Sequence, residues 1–210
     1  MSRSVDYYFA PQSPWTYLGH QRFQDIAQRA GAQIRVLPID LGKIFPRSGG
    51  LPLPQRAPQR QAYRLVELKR FADWLGLPLN LHPTYFPVPA EAAARLILAV
   101  AASQGSDAAM QLTGAVLKAV WAEQRNINDA GTLAQLLAEC GLPAAALAEA
   151  QGDAVQLRYE AATQQAFDAG VFGAPSYVVD GELFWGQDRL DLLERRLASA
   201  AHEKAPIEGA

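Results

Sequence analysis

A strand that runs into a capped helix opens this chain, and a two-residue hairpin turn that runs into another helix closes it. Those two pieces bound what it can fold into. Val5 to Phe9 (VDYYF) are mostly β-branched or aromatic, which favours a short strand. Ser13 and Pro14 follow, a side-chain acceptor and a fixed φ where a helix begins. Tyr17, Leu18, Phe23, Ile26 and Ala27 continue at roughly helical spacing, and Gly31 ends the run. Gln33 to Ile39 reads as a second strand, which a connecting helix places parallel to the first by a right-handed crossover. Near the other end, Ser176 to Val179 and Glu182 to Trp185 flank Asp180-Gly181, a strong hairpin signal, and a helix follows from about Gln187 to Ala200.

The middle of the chain is helical. Phe45 to Pro58 (FPRSGGLPLPQRAP) is rich in Pro and Gly and predicts a loop. Gln59 to Leu75 reads as an amphipathic helix carrying Tyr63, Val66, Phe71 and Trp74. After the irregular LGLPLNLHPTYFPVP, alanine- and leucine-rich helices continue almost to Ala169. The order βαβ, helices, ββα predicts an α/β protein, a thioredoxin-like fold with a large helical domain inserted. Residues 1–45 and 170–210 form its discontinuous thioredoxin-like domain, 46–169 the insert, and 202–210 a disordered tail. Where a dithiol enzyme would carry Cys-x-x-Cys, the helix start holds Ser13-Pro14-Trp15-Thr16, which excludes disulfide chemistry there.

Charge and composition narrow the function. With 19 basic and 21 acidic residues the formal charge is −2, which gives no global reason to expect a nucleic-acid partner. The glutamines and arginines from Gln55 to Arg64 read as a solvated face. No apolar leader precedes the first strand, and the longest apolar region, Ala90 to Ala102, is broken by Glu91 and Arg95, so neither export nor membrane insertion is expected. The single Cys140 fits a reducing, cytoplasmic setting and reads as a small buried residue at a helix end. His20, His82 and His202 lie far apart without metal-ligand spacing, so no metal is expected.

Three places remain for chemistry. Ser13 either caps its helix, stabilising by roughly 1 kcal/mol, or donates its hydroxyl to a thiolate held by the helix N-terminus. It has no nearby His/Asp pair to make it a nucleophile. Ala174-Pro175 is either an ordinary loop before a strand or a cis-proline turn facing Ser13, whose backbone pairs with a peptide-like ligand. Asp188 either complements the dipole of the last helix or binds an ammonium group, with Gln187 holding the neighbouring carboxylate. Phe184 and Trp185 read as core or interface.

With these residues in hand, the chain resembles the 2-hydroxychromene-2-carboxylate isomerases, close relatives of kappa-class glutathione transferases within the DsbA-like group. The resemblance runs from Val5 to about Leu197 and is carried by DYYFAPQSPWTYL, YRLVELKRFADWLGLPL, WAEQRNIND and VFGAPSYVVDGELFWGQDRL. It implies a cytoplasmic, homodimeric isomerase of aromatic catabolism with glutathione as cofactor and a small aromatic keto-acid as substrate. On that resemblance Ser13 hydrogen-bonds the glutathione sulfur, and Ala174-Pro175 pairs with the cysteinyl backbone. Gln187 and Asp188, with Trp185 beside them, take the γ-glutamyl end. The glutathione-contacting loop maps to Gly49 through Pro58; where relatives often carry an asparagine and then a lysine, this chain has Gly50 and Arg60. Trp15, Tyr85 and Phe86 are expected at the substrate. Two alternatives stand beside it: a kappa-like transferase that consumes the thiol, and a non-catalytic thioredoxin-like protein that binds a peptide along the proline edge.

Overall fold

The computed structural model describes residues 3–202. The tail expected over 202–210 lies, apart from His202 at the end of the last helix, outside the described residues.

Four strands make one mixed sheet in the order β2-β1-β3-β4. Strand β1 (Ser4–Phe9) pairs in parallel with β2 (Gln33–Pro38), Tyr7 opposite Val36. On its other side β1 pairs antiparallel with β3 (Ser176–Val179), Tyr7 opposite Tyr177, and β3 turns back into β4 (Glu182–Trp185). The turn is Asp180-Gly181, both with positive φ (51° and 81°), the backbone that a two-residue hairpin requires. Helix α1 (Pro14–Arg29) connects β1 to β2, as the βαβ pattern predicts. Its buried side, including Leu18, Phe23 and Ile26, packs on the sheet and on the helical unit.

The sequence differs from the structure at the first insert boundary. The Pro/Gly-rich stretch is not wholly a loop: α2 (Leu41–Ser48) runs through Phe45 and Pro46. Asp40 caps it by accepting from Gly42 N–H (2.8 Å), and fully buried Ile44 anchors it. These local gains outweigh the hydrogen bond that Pro46 forgoes. A short 3₁₀ turn at Leu53–Gln55 leads into α3 (Pro58–Leu75). The alanine-rich region then forms α4 (Glu91–Gln104), α5 (Ser106–Trp121), α6 (Ala130–Glu139), α7 (Ala146–Glu149) and α8 (Asp153–Asp168). Helix α9 (Leu190–His202) returns to the sheet.

The core joins sheet and helices without a break. Tyr7 stacks on Phe9 and Tyr177 (ring centroids 4.6 and 5.4 Å apart), and Phe23 closes over both tyrosines. His20 lies within this core. Its Nε2 is 3.0 Å from the Met110 carbonyl of α5, which can only accept, so Nε2 carries the proton and Nδ1 accepts from the Tyr7 hydroxyl (3.2 Å). Burial holds its pKa down at about 4, partly offset by the bond to Met110. Cys140 is half-buried at the end of α6, more exposed than its apolar neighbours suggest; burial, then the charge of Glu139, pushes its thiol pKa up.

Because an unfolded histidine titrates near 6.5, the unfolded chain binds a proton at His20 that the folded chain refuses until about pH 4. Stability contributed by the neutral ring is therefore present above pH 6.5 and lost as the pH falls. Between pH 6.5 and 5 the loss at this site is about 2 kcal/mol. Urea midpoints of the wild type should fall across that window, and those of His20→Asn should fall markedly less.

Candidate active site

Helix α1 begins at the sheet edge, and the site is built around that beginning. Ser13 has extended backbone and caps α1: its Oγ accepts from Thr16 N–H (3.2 Å). Pro14 has no N–H, Tyr17 N–H goes to the Ser13 carbonyl, and Trp15 N–H makes no bond to the protein backbone. The first turn thus presents one hydroxyl proton and one amide proton at a positive helix end. Ser13 is 7% exposed.

Two connected cavities meet there. The larger, about 780 Å³, is lined by Ser13, Trp15, Gly50, Arg60, Phe86 and Ala174 among others. The smaller, about 550 Å³, shares Trp15, Arg60, Ala174 and Trp185 with it and adds Gln187 and Asp188. The structure therefore gathers, from four separate regions of the chain, most of the residues singled out in the sequence. Pro175 and Tyr85 are the exceptions; Tyr85 is the one that leaves the site. It lines neither cavity and is 44% exposed. Its neighbour Phe86 turns inward instead, against Trp121 (4.8 Å).

The proline turn is cis at Ala174-Pro175. The Pro175 carbonyl accepts from Gly186 N–H (2.9 Å), and Pro175 lies off the cavity lining, whereas the N–H and C=O of Ala174 make no backbone hydrogen bond. Gly173 is needed for a steric reason: a Cβ there would stand 2.5 Å from Trp185 Nε1. Trp185, half exposed, packs on Phe172 at the rim (4.7 Å). Gly50 is likewise fixed by crowding, since a Cβ would meet Phe45 Cδ1 at 2.5 Å, so this loop position has no room for a larger residue while Phe45 stays in place.

Gln187 is 1% exposed and takes a bond from Arg22 Nη1 to its Oε1 (3.3 Å). A guanidinium can only donate, so the amide oxygen must face Arg22, and the N–H₂ remains as the free donor. Asp188 pairs with Arg189 (2.6 Å) at the cavity edge.

Three arginines share the cavity wall: Arg56, Arg60 and Arg64 line both chambers. The basic stretch is therefore not merely a solvated face. Arg64 lies over the rings of Phe86 and Trp121 (5.5 and 5.8 Å), where burial and then Arg56 lower its pKa to about 10. Burial, then Arg60, also lowers the pKa of Arg56. Arg64 was not expected at the site, and Arg56 was expected only as part of the loop from Gly49 to Pro58. Their spacing with Arg60 in steps of four was the available signal; in the structure Glu67 pairs with Arg70 (2.7 Å) and leaves Arg64 without an acid among the described residues.

The fold and a serine at the helix start define a thioredoxin-like protein of the DsbA type that lacks the dithiol. The DSBA-like thioredoxin domain model matches residues 4–198. The chain is 31% identical to the 2-hydroxychromene-2-carboxylate isomerase of Sphingobium xenophagum, over 94% of this chain and 99% of that one. It is 24% identical to glutathione S-transferase kappa 1 of Caenorhabditis elegans, over 90% of this chain and 88% of that one. A solved structure of a 2-hydroxychromene-2-carboxylate isomerase superposes with a TM-score of 0.78 at 28% identity, covering 98% of this chain and all of that one. The chain belongs to the 2-hydroxychromene-2-carboxylate isomerase family, a branch of the DsbA-like proteins and a family of isomerases. Among the described residues no helix is long and apolar enough to cross a membrane.

Gly173→Ala should force Trp185 off its seat. A loss of about 1–3 kcal/mol in urea unfolding is expected, with a change in native tryptophan fluorescence.

Proposed function

We propose that the chain is a glutathione-dependent isomerase interconverting 2-hydroxychromene-2-carboxylate and trans-o-hydroxybenzylidenepyruvate, or a closely related aromatic keto-acid. The observation that carries this is the state of the Ser13 hydroxyl. Its oxygen is occupied by Thr16 N–H, so its proton is left to donate into the larger cavity. The surrounding residues fit the cofactor. Ala174 offers an unpaired backbone N–H and C=O to a cysteinyl main chain. Asp188 and the free amide N–H₂ of Gln187 suit the ammonium and carboxylate of a γ-glutamyl end, with Trp185 packing beside them. Arg60 suits the glycyl carboxylate, while Gly50 admits close backbone approach.

Glutathione bound there would supply a thiolate whose reversible addition to a conjugated double bond lets the substrate rotate about a single bond. The protein's part is to keep that sulfur anionic and to shape the space beside it. A free thiol titrates at about 8.5, and the Ser13 hydroxyl, the Trp15 amide and the helix terminus together stabilise its charged form. Trp15 and Phe86 supply apolar walls for the aromatic body, and by excluding water they strengthen each hydrogen bond to the sulfur. Glutathione is kept reduced in the cytoplasm, where we place the protein. On the family resemblance we also propose a homodimer, for which the exposed Val66 and Trp74 of α3 offer apolar area to bury.

Removing the hydroxyl in Ser13→Ala should lower kcat about tenfold or more. It should also shift the rise of rate with pH upward, because the thiol loses the donor that favours its charged form. An unchanged profile would remove Ser13 from the chemistry. Calorimetry should find one-to-one glutathione binding, weakened about tenfold in Asp188→Ala; no saturable binding at millimolar concentration would favour the peptide-binding alternative. During turnover total free thiol should stay constant, whereas a transferase like the kappa-class relative would consume it.

A further inference from the structure

Three guanidiniums surround the larger cavity, and no acidic side chain lines it. Among the described residues none of Arg56, Arg60 and Arg64 forms a salt bridge, although the other ion pairs on the molecule are numerous. Arg56 gives its Nε–H to the Leu51 carbonyl (2.8 Å), but among the described residues the guanidiniums of Arg60 and Arg64 donate to no protein acceptor. Arg64 is the most enclosed of the three, set over the adjoining Phe86 and Trp121 rings at 5.5 and 5.8 Å. Arg64 is half-buried, and among the described residues its five N–H donors meet no protein acceptor. A guanidinium in that position stacks along an aromatic ligand and meets a planar carboxylate with two parallel hydrogen bonds.

The arginines also repel one another. Arg60 and Arg64 stand one turn apart on α3, a like-charge pair that costs a few tenths of a kcal/mol, and Arg56 adds a third positive charge close by. On the proposed function, the γ-glutamyl end of glutathione goes to Asp188 and Gln187, its thiolate to Ser13 and its glycyl carboxylate to Arg60. The substrate's carboxylate then has Arg64 and Arg56 left to it.

We infer that Arg64 is the specificity-determining residue for the substrate's carboxylate, so that the chamber selects planar aromatic acids over their neutral counterparts. The inference rests on the proposed function for the name of the substrate and not for the selection itself. Arg64 stands over Phe86 and lines the same chamber as Ser13; on the proposal, the aromatic body spans from its carboxylate end at Arg64 to the thiol at Ser13. Arg56 backs it as a second positive charge.

The test uses no thiol and no turnover. Calorimetric titration compares trans-cinnamate, a planar conjugated aromatic acid, with cinnamamide, its neutral counterpart. The wild type is expected to bind cinnamate at least about tenfold more tightly. Arg64→Met, which keeps an apolar stem over the two rings, should lose that preference; Arg64→Lys should keep part of it, and Arg60→Met most of it. Equal affinity of the wild type for the two probes, binding of neither, or a preference that survives in Arg64→Met would each overturn the assignment. If cinnamate is selected through Arg64 but hydroxychromene carboxylate is not turned over, the isomerase proposal fails and the carboxylate site stands.

Discussion

At Gly19 the backbone of α1 lies so close to the turn after β4 that a Cβ there would stand 2.7 Å from the Cβ of Gln187 and 3.2 Å from the Tyr177 hydroxyl. Everything else in the site depends on that contact. It brings the start of α1, near the beginning of the chain, beside the proline turn and Asp188, more than 150 residues later. The stacked rings of Tyr7, Phe23 and Tyr177 hold the two segments at this spacing from below, and the bond from Arg22 to Gln187 ties them from the side. Packing of this density deforms little, so the distance between Ser13 and Ala174 is set by the core and not by a flexible loop.

On that rigid floor the inserted helices build a wall. Helix α3 contributes arginines whose charges gain nothing from one another, and the loop before it approaches Phe45 too closely for any side chain at Gly50. The two halves of the site therefore differ physically. The sheet half offers backbone groups and a helix end, suited to a peptide-like thiol. The insert half offers aromatic rings and excess positive charge, suited to an aromatic anion. On the proposed function, unlike chemistries on either side of the Ser13 hydroxyl are what lets a redox fold without its dithiol serve isomerisation.

Much of this was legible in the residues. The hairpin at Asp180-Gly181, the capped helix at Ser13 and the parallel βαβ unit follow from local rules that act over a few residues. The helix through Phe45 and Pro46 was not legible, because its anchor is the burial of Ile44 under distant elements. Nor was the choice between Tyr85 and Phe86. Adjacent aromatics look equivalent in sequence, and only the presence of Trp121 and Arg64 on one side decides which turns inward.

The sequence by itself determined that the sheet is built from the two ends of the chain, that no dithiol sits at the helix start, and that a hydroxyl stands there instead. These are properties of residue type, periodicity and turn chemistry, all read within one element. The tertiary structure alone decided that Arg56, Arg60 and Arg64 line a chamber and that Gly50 and Gly173 are required by neighbouring rings. Which way a charged helix face points depends on what packs opposite it, and that is settled only when segments remote in sequence meet.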